Sequence, residues 1–471
     1  MADCGGLHSA VVTQEGSLFA WGDGGRGALG LGDEMRRQSP AKVELPSGNA
    51  VVMVGAGESH CVCCTEQGLV YCWGDNTYGQ GGHGDSDGRL VPTRVAIETE
   101  APILLVFAGR YHTAAVTAKG EIWIWGRGDN GRLGLGNTEG SRVPVRLTSE
   151  RLGCARVEMV ALGASHSLAV TDAPCDNLWG WGWGSCGSWA LVQGTNSQKS
   201  RLQVALYTRA LTFENDIRAD STTPALVAGA WRARGRRAVL AAAGQMHSCA
   251  ILDDHSLWTW GGGGDGKLGL GDTKSRCSPE LVDLAGNGAL QVSAGNSHSA
   301  AVTRQLTLFT WGNNAYGQLG LGKTRGVVTP HMTCLAGILQ VSCGENHSMA
   351  TDLLGRLWCW GGGGAGQLGH DDRKRRLLPQ EVASSSLGDL KAGRCRPLSA
   401  ELALAWCMVS HERLGEGSRW AKLPKELMRV VAHAARAWPG GVFADALHVK
   451  GMTRMTGAVR VVSGGFALVQ S

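Results

Sequence analysis

Long apolar runs are missing from these 471 residues. No stretch of 18 or more apolar residues occurs, and the opening MADCGGLHSAVV has no basic segment leading into a long apolar one. A soluble, unsecreted protein of the cytoplasm or nucleus is expected, without a membrane partner. A dominant charge is missing too: 45 Lys plus Arg against 40 Asp plus Glu leave only +5. Bulk charge therefore gives little support to a nucleic-acid or chromatin partner. A disulfide framework is equally unsupported, because the 15 Cys are odd in number and most sit inside apolar runs such as VYCWG and LWCWG. Buried thiols in a reducing compartment are expected. Cys61 to Cys64 form the one Cys-x-x-Cys, in HCVCC, but no second pair matches it. It reads as strand core rather than a zinc site.

What is present is repetition, carried by 71 Gly, about 15% of the chain and roughly twice the usual share. A Gly-x-x-His segment recurs at His8, His60, His112, His166, His247, His298 and His347, and an eighth copy puts Arg396 in the His position. Each His is followed by an apolar residue, an aromatic, any residue and Trp-Gly, with the Trp at 21, 73, 125, 181, 260, 311 and 360. Beyond each Trp comes a Gly-rich loop, usually containing Leu-Gly-Leu-Gly, then a Pro. Only the fourth unit breaks that last step. Seven copies at a period near 50 indicate a repeat fold.

Each unit reads as strand, turn, strand, Gly-rich loop, Pro-led strand and a fourth strand. In the first unit these are HSAVVT, QEG, SLFAWG, PAKVEL and AVVMVGAG. Period-two geometry gives the Trp-bearing strand two apolar faces, so each sheet must be covered on both sides. Radial closure of small four-stranded sheets meets that demand and protects the edges. The expected fold is an all-β, seven-bladed β-propeller over residues 1–396. A C-terminal extension, 397–471, is expected to carry an amphipathic helix near 423–437.

The order Gly-x-x-His, aromatic-x-Trp-Gly, Gly-x-Leu-Gly and Pro, repeated in register, resembles the regulator of chromosome condensation family of propellers. That resemblance implies the seven-bladed fold. It does not imply one function, since the family includes a Ran exchange factor, a plant ultraviolet-B photoreceptor and propeller modules of large ubiquitin ligases. The photoreceptor's sensing tryptophans stand two residues before the repeated His. Here those positions hold Gly6, Glu58, Arg110, Ala164, Gln245, Asn296, Glu345 and Arg394.

One His per unit gives a ring around an axis rather than a metal cluster, and each is expected to tie its own turn to the backbone. GDGGRG at Gly22 to Gly27 fits a phosphate-loop pattern, but no helix follows, so tight loops are expected there. Arg37, Arg89, Arg276 and Arg376 stand three before the Pro, each with an Asp four residues earlier: Asp33, Asp85, Asp272 and Asp372. Units three and six lack both, so the pairs are expected to be loop-fixing bridges rather than a basic collar. Basic runs at Arg232, Arg234, Arg236 and Arg237 and at Arg373 to Arg376 are expected as solvated loop charge.

From Trp189 to Pro224 is 35 residues where other units use 11, an insertion of about 24, placed at 194–220. Arg201, Tyr207, Arg209 and Phe213 are its candidate partner-binding anchors. No catalytic, cofactor-binding or metal residues are expected. The leading function is a non-enzymatic protein-interaction scaffold. The alternatives are a guanine-nucleotide exchange factor for a Ran-like small GTPase and a substrate-binding or adaptor part of a ubiquitin ligase.

Overall fold

The computed structural model describes residues 1–174, 176–184, 220–227, 229–231 and 235–383, with two short strands at Val461–Val462 and Gly465–Phe466. Two compact units divide the chain, Met1–Ala400 and Glu401–Ser471. The second is described only in its two short strands, which pair antiparallel. The insertion at 194–220 with its four candidate anchors, the eighth copy at Arg396 and the helix near 423–437 lie outside the described residues, apart from Asp220.

The first unit contains seven antiparallel sheets of four strands, each sheet taking its strands in chain order. Sheets 1 to 7 begin with Ala2–Cys4, Val51–Ala56, Ile103–Ala108, Val157–Leu162, Ala238–Ala243, Ala289–Ala294 and Ile338–Cys343, and sheet 1 continues with His8–Val12, Leu18–Gly22 and Arg37–Val43. First strands neighbour one another around the set, and Ile338–Cys343 of sheet 7 lies against Ala2–Cys4. The sheets therefore close into a seven-bladed propeller with first strands at the axis and the Pro-bearing strands outside. An outer edge is where Pro is tolerated, since it donates no ladder hydrogen bond. The fourth unit obeys this as well: Ser221 pairs with Gly182 as Arg37 pairs with Gly22, which sets Pro224 in register with Pro40.

One boundary differs from the sequence expectation. AVVMVGAG is not the last strand of the first unit; Val51–Ala56 pairs with His60–Thr65 as the first strand of sheet 2. The reason is local. Only Gly57, Glu58 and Ser59 separate those two strands, short enough for a hairpin, while a longer loop separates Val51 from Arg37–Val43.

Both sheet faces are apolar, and each meets a different neighbour. Leu18 and Ala20 pack with Val54, Cys61 and Trp73 of sheet 2, whereas Phe19 and Trp21 pack with Met349, Leu357 and Cys359 of sheet 7. All seven repeated Trp are fully buried. Each indole removes roughly 150–250 Å² from water, about 4–6 kcal/mol before conformational entropy opposes it.

The Gly of each Gly-x-x-His is required by close approach. A Cβ on Gly109 would stand 2.6 Å from His112 Cε1 and 2.8 Å from Gly163 O of the next sheet. At the closing seam, one on Gly344 would stand 2.5 Å from His347 Cε1 and 2.6 Å from Gly5 O. Nothing larger than glycine fits between a histidine ring and the neighbouring turn.

The histidines correct a second expectation. Instead of binding their own turns, they cross the seams. His60, His112, His166, His247, His298 and His347 place Nε2 2.8–3.0 Å from the hydroxyls of Thr113, Ser167, Ser248, Ser299, Ser348 and Ser9 on the following sheet. His8 meets the Cys61 thiol at 3.1 Å. The Thr113, Ser167, Ser299, Ser348 and Ser9 hydroxyls donate onward, at 2.8–2.9 Å, to the carbonyls of Gln80, Arg132, Lys267, Gln318 and Gln367. The same carbonyls accept Trp125, Trp181, Trp311, Trp360 and Trp21 Nε1. Because each of these hydroxyls gives its proton to a carbonyl, donor counting assigns the neutral Nε2–H tautomer. The cause of the crossing is steric: the Nδ1 side of each ring lies against its own glycine, which leaves Nε2 to face the next sheet.

Polar side chains finish the closure. Gln340 exchanges hydrogen bonds with Ala2 N at 3.3 Å and Ala2 O at 2.8 Å, and Ser342 Oγ accepts Cys4 N at 3.0 Å. Asp3 accepts Ser342 Oγ–H and Ala56 N–H, both at 2.8 Å, so one carboxylate spans the first strands of sheets 7, 1 and 2. Burial pushes its pKa up to about 6.

Candidate partner-binding face

Antiparallel order puts the Gly-x-x-His turns and the loops after Trp-Gly at the same end of every sheet. Over sheets 1 to 3 this face carries charge and aromatic surface. Arg26 Nη1 of sheet 1 reaches Asp75 Oδ1 of sheet 2 at 2.8 Å, and Arg110 Nη2 of sheet 3 reaches Glu58 Oε1 of sheet 2 at 3.0 Å. Tyr78 and Tyr111 lie 5.2 Å apart, with the Arg127 guanidinium 4.5 Å from the first ring and 5.6 Å from the second. Asp129 accepts from Arg127 at 2.5 Å and holds it there. Tyr78 stays 40% exposed.

The root of the insertion stands beside this stack. Gly184 N and Asn130 Nδ2 both donate to Asp220, at 3.1 and 2.9 Å, so the chain leaves and re-enters sheet 4 next to the loop of sheet 3. Arg132 locks that loop to sheet 4 by donating to Asp129 O, Ala164 O and Asn130 Oδ1. Burial lowers its pKa to about 10, and it remains charged at neutral pH. Toward sheets 7 and 1, Glu345 is held above its ordinary value by burial and by Glu58, with Arg110 opposing. A cavity of about 70 Å³ lies there, lined in part by Gly6, His8, Asp23, Glu58 and Glu345.

The four Asp–Arg pairs form four like clips. Arg37, Arg89, Arg276 and Arg376 donate to Asp33, Asp85, Asp272 and Asp372 at 2.7, 2.6, 3.0 and 2.8 Å. The other carboxylate oxygen of each Asp accepts the backbone N–H two residues on. The arginine hydrogen bond, foremost, holds each carboxyl below its usual range. In unit three Asn137 keeps the amide contact, accepting Glu139 N at 3.2 Å. Of the basic runs, Arg237 pairs with Glu158 at 3.2 Å and Arg236 approaches Asp254 at 3.4 Å, while Arg232 and Arg234 lie outside the described residues.

Sequence reasoning missed the Tyr78–Arg127–Tyr111 stack. Its members occupy different positions of two repeats, so self-comparison cannot align them. The available signal was departure from register, because Tyr111 and Arg127 stand where most units have small or neutral residues.

The chain matches the RCC1-like domain family over residues 97–400 and the regulator of chromosome condensation (RCC1) repeat over 15–64 and 67–116. The matched repeat is offset from the sheet, since 15–64 begins before the third strand of sheet 1 and ends within the second strand of sheet 2. The ultraviolet-B receptor UVR8 of Arabidopsis thaliana is 32% identical over 347 residues, 68% of this chain and 78% of the receptor. The E3 ubiquitin-protein ligase HERC2 of Homo sapiens is 32% identical over 302 residues, 64% of this chain but only 6% of the ligase. Among solved structures, Prp20p of Saccharomyces cerevisiae superposes with a TM-score of 0.63 at 19% identity, covering 80% of this chain and 88% of Prp20p. Human WBSCR16 does so at 0.61 and 24%, covering 74% and 86%. With its repeats in register and its seven sheets closed into a ring, this chain belongs to the RCC1-like domain family.

Proposed function

We propose that the chain is a non-enzymatic scaffold that binds a protein partner on its Gly-loop face, centred on sheets 2 and 3 beside the root of the insertion. The Tyr78–Arg127–Tyr111 stack carries this reading. Tyrosine and arginine are enriched at the energetic centres of interfaces, and here a guanidinium is already ordered against two neighbouring rings, which lowers the entropy cost of docking. The histidines of the ring are committed to seams and buried behind glycine turns, so they do not supply a catalytic base. Affinity capture with the full chain, the Tyr78→Ala/Arg127→Ala variant and a 194–220 deletion tests the proposal. The double variant is expected to lose at least about tenfold in partner affinity; undiminished capture contradicts the placement.

The insertion favours one further reading, nucleotide exchange on a small GTPase, because an element rooted on a binding face can wedge against a nucleotide site. Prp20p, which shares the fold, has been described with its binding properties to Gsp1p and histones. Nucleotide release should then be accelerated by the intact chain and not by the 194–220 deletion. No acceleration across a panel of small GTPases removes the reading. Similarity to a segment of HERC2 supports an adaptor role, for which co-purification with cullin-type partners is the test.

A further inference from the structure

Six seams show one clamp of histidine, relay atom and carbonyl among the described residues, and the seam between sheets 1 and 2 departs from it in three ways. First, the relay atom is sulfur. Cys61 Sγ lies 3.1 Å from His8 Nε2 and 3.6 Å from Ala28 O, where hydroxyl relays stand 2.8–2.9 Å from their carbonyls. A thiol is a weak donor and a weak acceptor, so both links are poorer. Burial keeps it a neutral thiol.

Second, the loop that supplies the carbonyl is unbraced by its own side chain. Gln80, Gln318 and Gln367 each turn Oε1 back to accept the amide of Tyr78, Tyr316 or Ala365, at 2.9, 3.0 and 2.8 Å. Arg132 braces its loop with its guanidinium. Ala28, at the same position, has only a methyl group. Third, the cavity of about 70 Å³ is lined by His8 and Ala28, two members of this clamp, so packing is incomplete at its edge. Across the same seam Arg26 joins Asp75, but Arg26 is 61% exposed and such a pair holds little. Asp3 to Ala56 N at 2.8 Å and Gly6 N to Gly57 O at 3.0 Å remain as polar ties near the axis.

We infer that the seam between sheets 1 and 2 is the weakest of the six whose clamp lies in the described residues, and a point at which the ring opens. Opening there separates the turn holding Glu58 from the loop holding Asp23 and Arg26. It gives the loop face a second conformation without unfolding a sheet.

Amide hydrogen exchange on the full chain at neutral pH tests this. The amides of Gly6 and Gly32, which donate across this seam to Gly57 O and Leu90 O, are expected to exchange about fivefold faster than those of Arg110 and Gly136, which donate across the seam between sheets 3 and 4 to Gly163 O and Thr222 O, the factor set by one weakened hydrogen bond. Cys61→Ser should slow them to the rate of Arg110 and Gly136 and raise the thermal midpoint. Cys61→Thr, which installs the side chain that sheet 3 uses at Thr113, should act alike. Ser167→Cys should lower the midpoint and speed exchange at its own seam. Equal protection of the two seams in the unaltered chain overturns the inference, as does a midpoint that does not rise with either hydroxyl at position 61.

Discussion

Trp125→Ala is expected to remove about 3–5 kcal/mol of folding stability, the range for deleting a large buried aromatic. Two contributions add. The indole is fully buried between sheets 2 and 3, where it packs with Cys64, Cys72 and Val106, and its loss leaves a cavity that two flat sheets cannot collapse to fill. Its Nε1 also donates to Gln80 O at 2.9 Å, the carbonyl that anchors the Thr113 relay, so the clamp loosens with it. Trp123, two residues earlier on the same strand, is only half-buried, and Trp123→Ala should cost clearly less. Chemical denaturation at neutral pH reads both. A loss under about 1 kcal/mol at Trp125 would mean that the indole is not a seam residue.

Acid should dismantle the ring well above the pH at which carboxylates titrate. Burial lowers the pKa of His8, His60, His166 and His298 to about 4 and that of His347 to about 3, and pushes His112 and His247 well down. Each pKa is depressed in the folded state. The stability linked to these groups is therefore fully present above the unfolded value near 6.5 and is lost as pH falls toward 4. At pH 5 the unfolded chain holds nearly all seven protons and the folded chain few of them. Each such proton steepens the pH dependence by about 1.4 kcal/mol per pH unit. Asp3 has the opposite sign: its raised pKa favours the folded state in acid and is lost as pH rises through about 6, but it is one group against seven. Denaturation midpoints are expected to fall steeply between pH 6.5 and 5. Midpoints unchanged over that range would show that the histidines are not buried and neutral.

The periodicity of the chain made the ring legible because the repeated Gly, His and Trp recur at equivalent places in every sheet. Trp21 and its six counterparts are core in all sheets, and the double apolar face of LFAWG dictates a neighbour on both sides. The Asp and Arg of each clip were visible together because their spacing of four is local. The partner of His112 was not: Ser167 lies 55 residues on, and only the fold brings the two to 3.0 Å. The strand grouping slipped by one for a similar reason, since the repeat carries no mark of where one sheet ends and the next begins. Tyr78, Tyr111 and Arg127 were invisible to self-comparison, because they stand at different positions of two repeats and so align with nothing.

Closure rests on contacts between residues at opposite ends of the propeller, and a double-mutant cycle at Ser9 and His347, 338 residues apart, tests it most directly. Ser9→Ala and His347→Phe are each expected to destabilise, and the coupling between them should be about 1 kcal/mol or more, as for residues sharing one buried hydrogen-bond network. Strict additivity, within about 0.5 kcal/mol, would contradict a closed ring of seven sheets.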